Sequence, residues 1–123
     1  MAKFGELEAV IMRSVWASRE PMRVRHVVEE LQRDRDIAFN TVQTVMENLY
    51  RKGWLERAKE GRAYRYWAAA SQEDYAVGLV EEALENVPDQ AAVLSRLITR
   101  LRPDEVDELR AALSQAEHRE DLA

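Results

Sequence analysis

The 123-residue chain contains no cysteine, and that absence closes several routes at once. Disulfides, thiolate nucleophiles and sulfur-ligated metal sites all require a thiol. Histidine is nearly as scarce. Only His26 and His118 could offer an imidazole; they lie far apart in sequence, and neither has a metal-ligand companion. Ser14, Ser18, Ser71, Ser95 and Ser114 have no histidine at a useful spacing, so no nucleophile–base pair suggests catalysis. No catalytic residue, metal or cofactor is therefore expected, and an enzyme is the weakest reading. No apolar run approaches the length of a membrane span, and the N-terminus lacks the hydrophobic stretch of a secretory signal, which reads as a cytoplasmic protein.

What is present is a chain with enough apolar residues, 46%, to build a core. Its net charge of −5 is unevenly spread. Residues 1–70 hold 13 basic and 10 acidic side chains, or +3, whereas residues 71–123 hold 5 and 13, or −8. The change is abrupt and coincides with a change of texture, which suggests two jobs for two halves. Local field, not net charge, decides what a surface attracts.

The first half has the periodicities of three helices and a hairpin. Leu7, Val10, Ile11 and Val15 form one stripe between about Phe4 and Ser18, ended by Pro21. Val24, Val27, Val28 and Leu31 repeat the pattern, and Val42, Val45, Met46 and Leu49 repeat it again. Asn40 is a candidate N-cap or first-turn residue of the third helix, and Gly53 follows the basic pair Arg51-Lys52 where a C-terminal cap glycine belongs. "WLERAKEGRAYRYWA" then alternates, with Glu60-Gly61 at the expected turn, Leu55 facing inward, and Tyr64 and Tyr66 on one face. Three helices and a two-stranded wing within about 70 residues make a winged helix-turn-helix.

Residues 71–123 read as all helix. Ser71 is placed to cap a first helix running to about Val87, and Pro103 to open the last, followed by acids that suit the helix dipole. The final "HREDLA" looks frayed. Leu79, Val80, Leu84, Leu94, Leu97, Ile98, Leu101, Val106, Leu109 and Leu113 give these helices wide apolar faces. Helices this short rarely bury enough surface alone, so a second copy related by two-fold symmetry is the expected partner. The competing arrangement folds the tail back on its own winged half. The expected fold class is thus mainly α: a winged-helix domain, 1–70, followed by a C-terminal helical dimerisation domain, 71–123.

The third helix is unusual on its outer face. Asn40, Thr41, Gln43, Thr44 and Asn48 are short, uncharged hydrogen-bonders, whereas the other helices are covered with Glu, Asp and Arg. These side chains suit donors, acceptors and thymine methyls in a major groove. Around them, Arg51, Lys52, Arg57, Lys59, Arg62 and Arg65 are candidates for phosphate contacts, with Arg23 and Arg25 on the other side; residues 51–66 alone carry a local +4. Glu47 is discordant. Trp54, Tyr64, Tyr66 and Trp67 fit core or hairpin packing better than base stacking.

Three motifs, Thr41-Val42-Gln43-Thr44-Val45, Leu49-Tyr50-Arg51-Lys52-Gly53 and Gly61-Arg62-Ala63-Tyr64-Arg65-Tyr66, together resemble the BlaI/MecI family of penicillinase and methicillin-resistance repressors. The likeness covers residues 4–70 well and the tail in layout. It implies a dimeric transcriptional repressor on a palindromic double-stranded DNA operator, with Asn40–Lys52 as the reading helix, Lys59–Arg65 as the wing and 71–117 as the dimer domain. It also implies control of antibiotic-resistance genes, with release by a membrane-bound sensor protease that detects β-lactam and cuts the dimer domain. The chain departs from the family where Gln43 and Asn48 replace basic residues. It lacks the Asn-Phe dipeptide common at the cut, and the paired tail cysteines of copper-responsive relatives. The alternatives are a winged-helix protein-interaction module and a ligand-sensing regulator unresponsive to β-lactams.

Overall fold

A computed structural model describes residues 3–122. Its elements are α1 (Glu6–Ala17), α2 (Val24–Leu31), α3 (Phe39–Arg51), β1 (Leu55–Glu60), β2 (Ala63–Ala68), α4 (Gln72–Leu84), α5 (Gln90–Ile98) and α6 (Pro103–Leu122). The chain divides into two compact units, one reaching residue 83 and the other starting at Leu84. The predicted mainly helical winged fold is the observed one.

In the first unit, the three predicted stripes converge. Ile11, Met12, Val27, Val42, Met46 and Leu49 are fully buried, and Leu55 and Tyr66 from the hairpin close the core. Each such side chain contributes about 1.5–3 kcal/mol relative to exposure, so Val42, Met46 and Leu49 together hold α3 down firmly. The opposite face of α3 is thereby left to the outside.

The end of α3 is set by Gly53. Its φ of +88° allows the N–H of Gly53 to reach the Tyr50 carbonyl at 3.0 Å and that of Trp54 to reach the Leu49 carbonyl at 2.9 Å. That pair of bonds is a Schellman ending, and it turns the chain directly into the wing. β1 and β2 pair antiparallel from Leu55↔Ala68 to Glu60↔Ala63, so the turn is Gly61-Arg62, one residue later than the Glu60-Gly61 expectation. Gly61 has φ +65° and Arg62 does not have a positive φ, the pattern of a type II′ turn. Met22 adds a third rung: its N–H and carbonyl exchange hydrogen bonds of 2.8 and 2.9 Å with Tyr66.

The start of α4 belongs to this unit as well. Ser71 Oγ accepts from the Asp74 N–H at 3.0 Å, the expected cap. One turn on, the Tyr75 ring stacks on Phe4 at 4.3 Å, and its hydroxyl oxygen accepts the Phe4 N–H at 2.9 Å. Trp16 and Trp54 complete the cluster, and Trp16 Nε1 donates to the Ala70 carbonyl at 2.9 Å.

In the second unit, Asp89 caps α5 by accepting from the Ala92 N–H at 3.0 Å, and Glu105 accepts the Arg102 N–H before α6. α6 continues to Leu122, through the part of the "HREDLA" segment that is described, where a frayed ending was expected; Ala123 lies outside the described residues. No residue described in α4, α5 or α6 is buried.

Candidate nucleic-acid interface

Packing of α3 through Val42, Met46 and Leu49 decides which side chains project. Asn40, Thr41, Gln43, Thr44 and Asn48 are all exposed. Asn40 is not a cap, because the helix starts at Phe39 with Ala38 as an extended N-cap that makes no side-chain bond. Thr44 Oγ1 donates to the Asn40 carbonyl at 2.9 Å. Its proton is therefore used within the helix, and its methyl and remaining lone pair are what it offers outward.

The surrounding cations separate into two groups. Arg25, Arg51, Lys59 and Arg62 make no ion pair among the described residues, and all are exposed. The others are held. Lys52 Nζ lies 2.9 Å from Glu8 Oε2, and this bond, followed by the Gly5 N–H, holds the Glu8 carboxyl below its ordinary range. Glu60 at the wing tip binds both Arg65 and Arg23, the latter at 2.9 Å, and these two guanidiniums lower its pKa in that order.

Arg57 is held most closely. Its guanidinium carbon lies 4.1 Å from the centre of the Tyr50 ring and 3.9 Å from that of Tyr64. Nη1 donates to the Tyr66 hydroxyl at 3.3 Å, which raises the Arg57 pKa, and stands 3.7 Å from Glu47 Oε1. Glu47 thus has a partner beside the neutral face of α3, which accounts for an acid there. The sequence signal for this cluster is slight, because its members lie on three different elements.

A groove of about 410 Å³ runs between the start of α2, α3 and the wing. Arg25, Phe39, Gln43, Arg62 and Tyr64 line it. Phe39, absent from the sequence-based candidates, is 45% exposed and is not packed on the core. The register of α3, with Val42, Met46 and Leu49 inward, turns it to the outside.

The apolar tail residues are displayed in a different way. Leu79, Leu84, Leu101 and Val106 are half-buried, while Val80, Leu94, Leu97, Ile98, Leu109 and Leu113 are exposed. Within the second unit, Leu94, Leu97, Ile98, Leu101, Leu109 and Leu113 line one cleft of about 430 Å³ between α5 and α6.

A winged helix with a neutral, hydrogen-bonding outer face on α3 and, around it, cations without an ion pair among the described residues has the make-up of a DNA-binding regulator. The chain belongs to the penicillinase repressor family, whose profile matches residues 4–115, as the motifs between residues 41 and 66 led one to expect. The transcriptional regulator BlaI of Mycobacterium tuberculosis is 34% identical over 120 residues, spanning 95% of this chain and 87% of that protein. The methicillin resistance regulatory protein MecI of Staphylococcus aureus is 24% identical, spanning 92% of this chain and 94% of that protein. The solution structure of the DNA-binding domain of the repressor BlaI superposes with a TM-score of 0.52 and 28% identity, covering 61% of this chain and 94% of that domain. The monomeric form of Bacillus licheniformis BlaI in complex with the blaP half-operator matches with a TM-score of 0.50 and 27% identity, over 60% of this chain and 89% of that one.

Proposed function

We propose that the protein is a cytoplasmic, dimeric repressor that binds a palindromic operator. Residues 1–70 act as the DNA-binding domain and 71–123 as the dimerisation domain. Asn40, Thr41, Gln43, Thr44 and Asn48 read base edges. Arg51, Lys52, Lys59, Arg62 and Arg65 serve the phosphates, with Lys52 and Arg65 exchanging their acidic partners for the backbone. Phe39 adds an apolar contact for a thymine methyl at the rim of the same groove. The observation that carries the reading is the neutral outer face of α3, ringed by unpaired cations, in a chain of a repressor family.

Dimerisation rests on the α5–α6 cleft, where Leu94, Leu97, Ile98, Leu109 and Leu113 remain exposed in one copy. Two winged domains held by such a pairing would place their α3 helices in successive major grooves, about 34 Å apart. Each alone binds one half-site weakly; linkage raises effective concentration, so separating the tails releases DNA without touching the reading face. Resistance genes are the expected targets, and a membrane-bound sensor protease that cuts the tail is the expected partner for release. No helix among the described residues is long and apolar enough to cross a membrane.

Selection of bound fragments from random duplex DNA tests the reading. A two-fold symmetric consensus is the expected result; recovery of no preferred sequence at modest ionic strength would end it.

A further inference from the structure

We propose that Arg57 is a positioning residue that locks the wing to the reading helix, not one of the cations that hold phosphate. The inference rests on the operator reading above and specifies how its two halves are kept in register. Arg57 lies on β1, opposite Tyr66 of β2 in the hairpin register. From there its guanidinium reaches across to α3. It lies over the Tyr50 ring of α3, 4.1 Å from its centre, and over the Tyr64 ring of β2, 3.9 Å from its centre. Its edge serves the Tyr66 hydroxyl and faces Glu47, which stands one turn before Tyr50 on α3.

Three features set Arg57 apart from a phosphate contact. The guanidinium lies over two aromatic rings, and Nη1 donates to a phenol. Its side chain is only 18% exposed, while Arg62 and Lys59 nearby are exposed and unpaired. Its charge is also already faced by Glu47. Arginine alone among cationic side chains can stack on two rings and donate from its edge simultaneously, so lysine cannot replace it here. The base of the wing is anchored by the Gly53-Trp54 turn, by Leu55 and Tyr66 in the core and by Met22, and Glu60 at its tip holds Arg23; Arg57 adds the link from the wing to Glu47 and Tyr50 on the outer side of α3. Without that link, the angle between Gln43 on α3 and Arg62 on the wing tip would loosen, although both side chains remain.

The test compares the wild type with Arg57→Lys and Arg57→Gln on the selected operator and on an unrelated duplex, across a salt series. The expected result is a loss on the order of tenfold in the ratio of specific to non-specific affinity for both variants, with wild-type salt slopes on both duplexes. If Arg57→Lys behaves as wild type while Arg57→Gln weakens both duplexes and flattens the salt slope, Arg57 holds a phosphate and the proposal is overturned. Wild-type ratios in both variants overturn it equally.

NMR of the free protein supplies a readout independent of DNA. Arg57 side-chain protons over two rings should be shifted strongly upfield, and contacts between the Tyr50 and Tyr64 rings and the guanidinium stem should vanish in Arg57→Lys while core signals persist. Should that variant fail to fold, Tyr64→Leu removes one ring from the exposed side of the wing and should reproduce the loss of specificity. An intact specificity ratio in Tyr64→Leu overturns the proposal. A wild type with no sequence preference refutes the operator reading instead, and Arg57 protons without ring-shifted signals refute the lock.

Discussion

Replacing Arg62 by alanine should reduce the salt dependence of operator binding by an amount that follows from counting free cations. Among the described residues, Arg25, Arg51, Lys59 and Arg62 have no acidic partner, whereas Arg23 and Arg65 share Glu60, Lys52 has Glu8 and Arg57 faces Glu47. If all four free cations of each subunit meet phosphates, and Lys52 and Arg65 add little because each leaves an acid unpaired when it moves to the backbone, a dimer neutralises about eight, and log K should fall with log salt at a slope of about −7. Between 50 and 200 mM salt that amounts to roughly a 10⁴-fold loss of affinity. Arg62→Ala removes about two contacts from the dimer, so the slope should fall to about −5 and the loss over the same range to roughly 10³-fold. Arg65→Ala serves as the control. Binding phosphate through Arg65 requires breaking its bond to Glu60, so its removal should flatten the slope less than removal of Arg62 does. Titration by fluorescence anisotropy at four salt concentrations, with operator and half-site duplexes in parallel, gives every slope; the half-site should show about half the operator value. Equal flattening by Arg62→Ala and Arg65→Ala would refute the division between free and held cations. An unchanged slope in Arg62→Ala would remove the wing tip from the interface altogether.

Phe39→Ala should weaken operator binding several-fold, and replacing thymine by uracil under its contact should weaken the wild type by a similar factor but leave the variant unaffected; additive losses in a double-mutant cycle would show that Phe39 meets no methyl group. Leu97→Asp places a charge in the apolar α5–α6 cleft and should give a monomer by sedimentation at micromolar concentration, with half-site affinity retained and full-operator affinity much reduced; a persistent dimer would move the interface elsewhere. Glu8→Gln should affect stability only above the acid range. The folded carboxyl of Glu8 is held below its ordinary value of 4.5, so its contribution is fully present above that value and is lost as pH falls through the lowered one. Chemical denaturation should show a deficit below about 1 kcal/mol at pH 7 that closes toward pH 3, and a deficit growing on acidification would reverse the assignment.

Much of the first unit could be read before any coordinates, because its instructions are local. The four-residue recurrence of apolar side chains fits only a helix with one buried side. A glycine after Arg51-Lys52 stops such a helix, and Gly61 can turn a hairpin where other residues would be strained. The neutral face of α3 was legible for the same reason: once Val42, Met46 and Leu49 must point inward, the positions of Gln43 and Asn48 follow from the helical repeat.

Pairing was not legible, because it joins residues that are distant along the chain. Glu8 meets Lys52 and Glu60 meets Arg23 across separations of 44 and 37 residues. Arg57, counted from sequence as one more cation on the hairpin, proves to lie over rings from α3 and β2. Phe39 lies outside by the register of α3, while Tyr75, near the start of the acidic stretch, completes an aromatic cluster begun at Phe4. Periodicity specifies which side of an element is buried, since that depends on neighbours a few residues away. Which charge is neutralised and which remains available to a polyanion depends on how the elements meet in three dimensions, and no repeat within one segment encodes that.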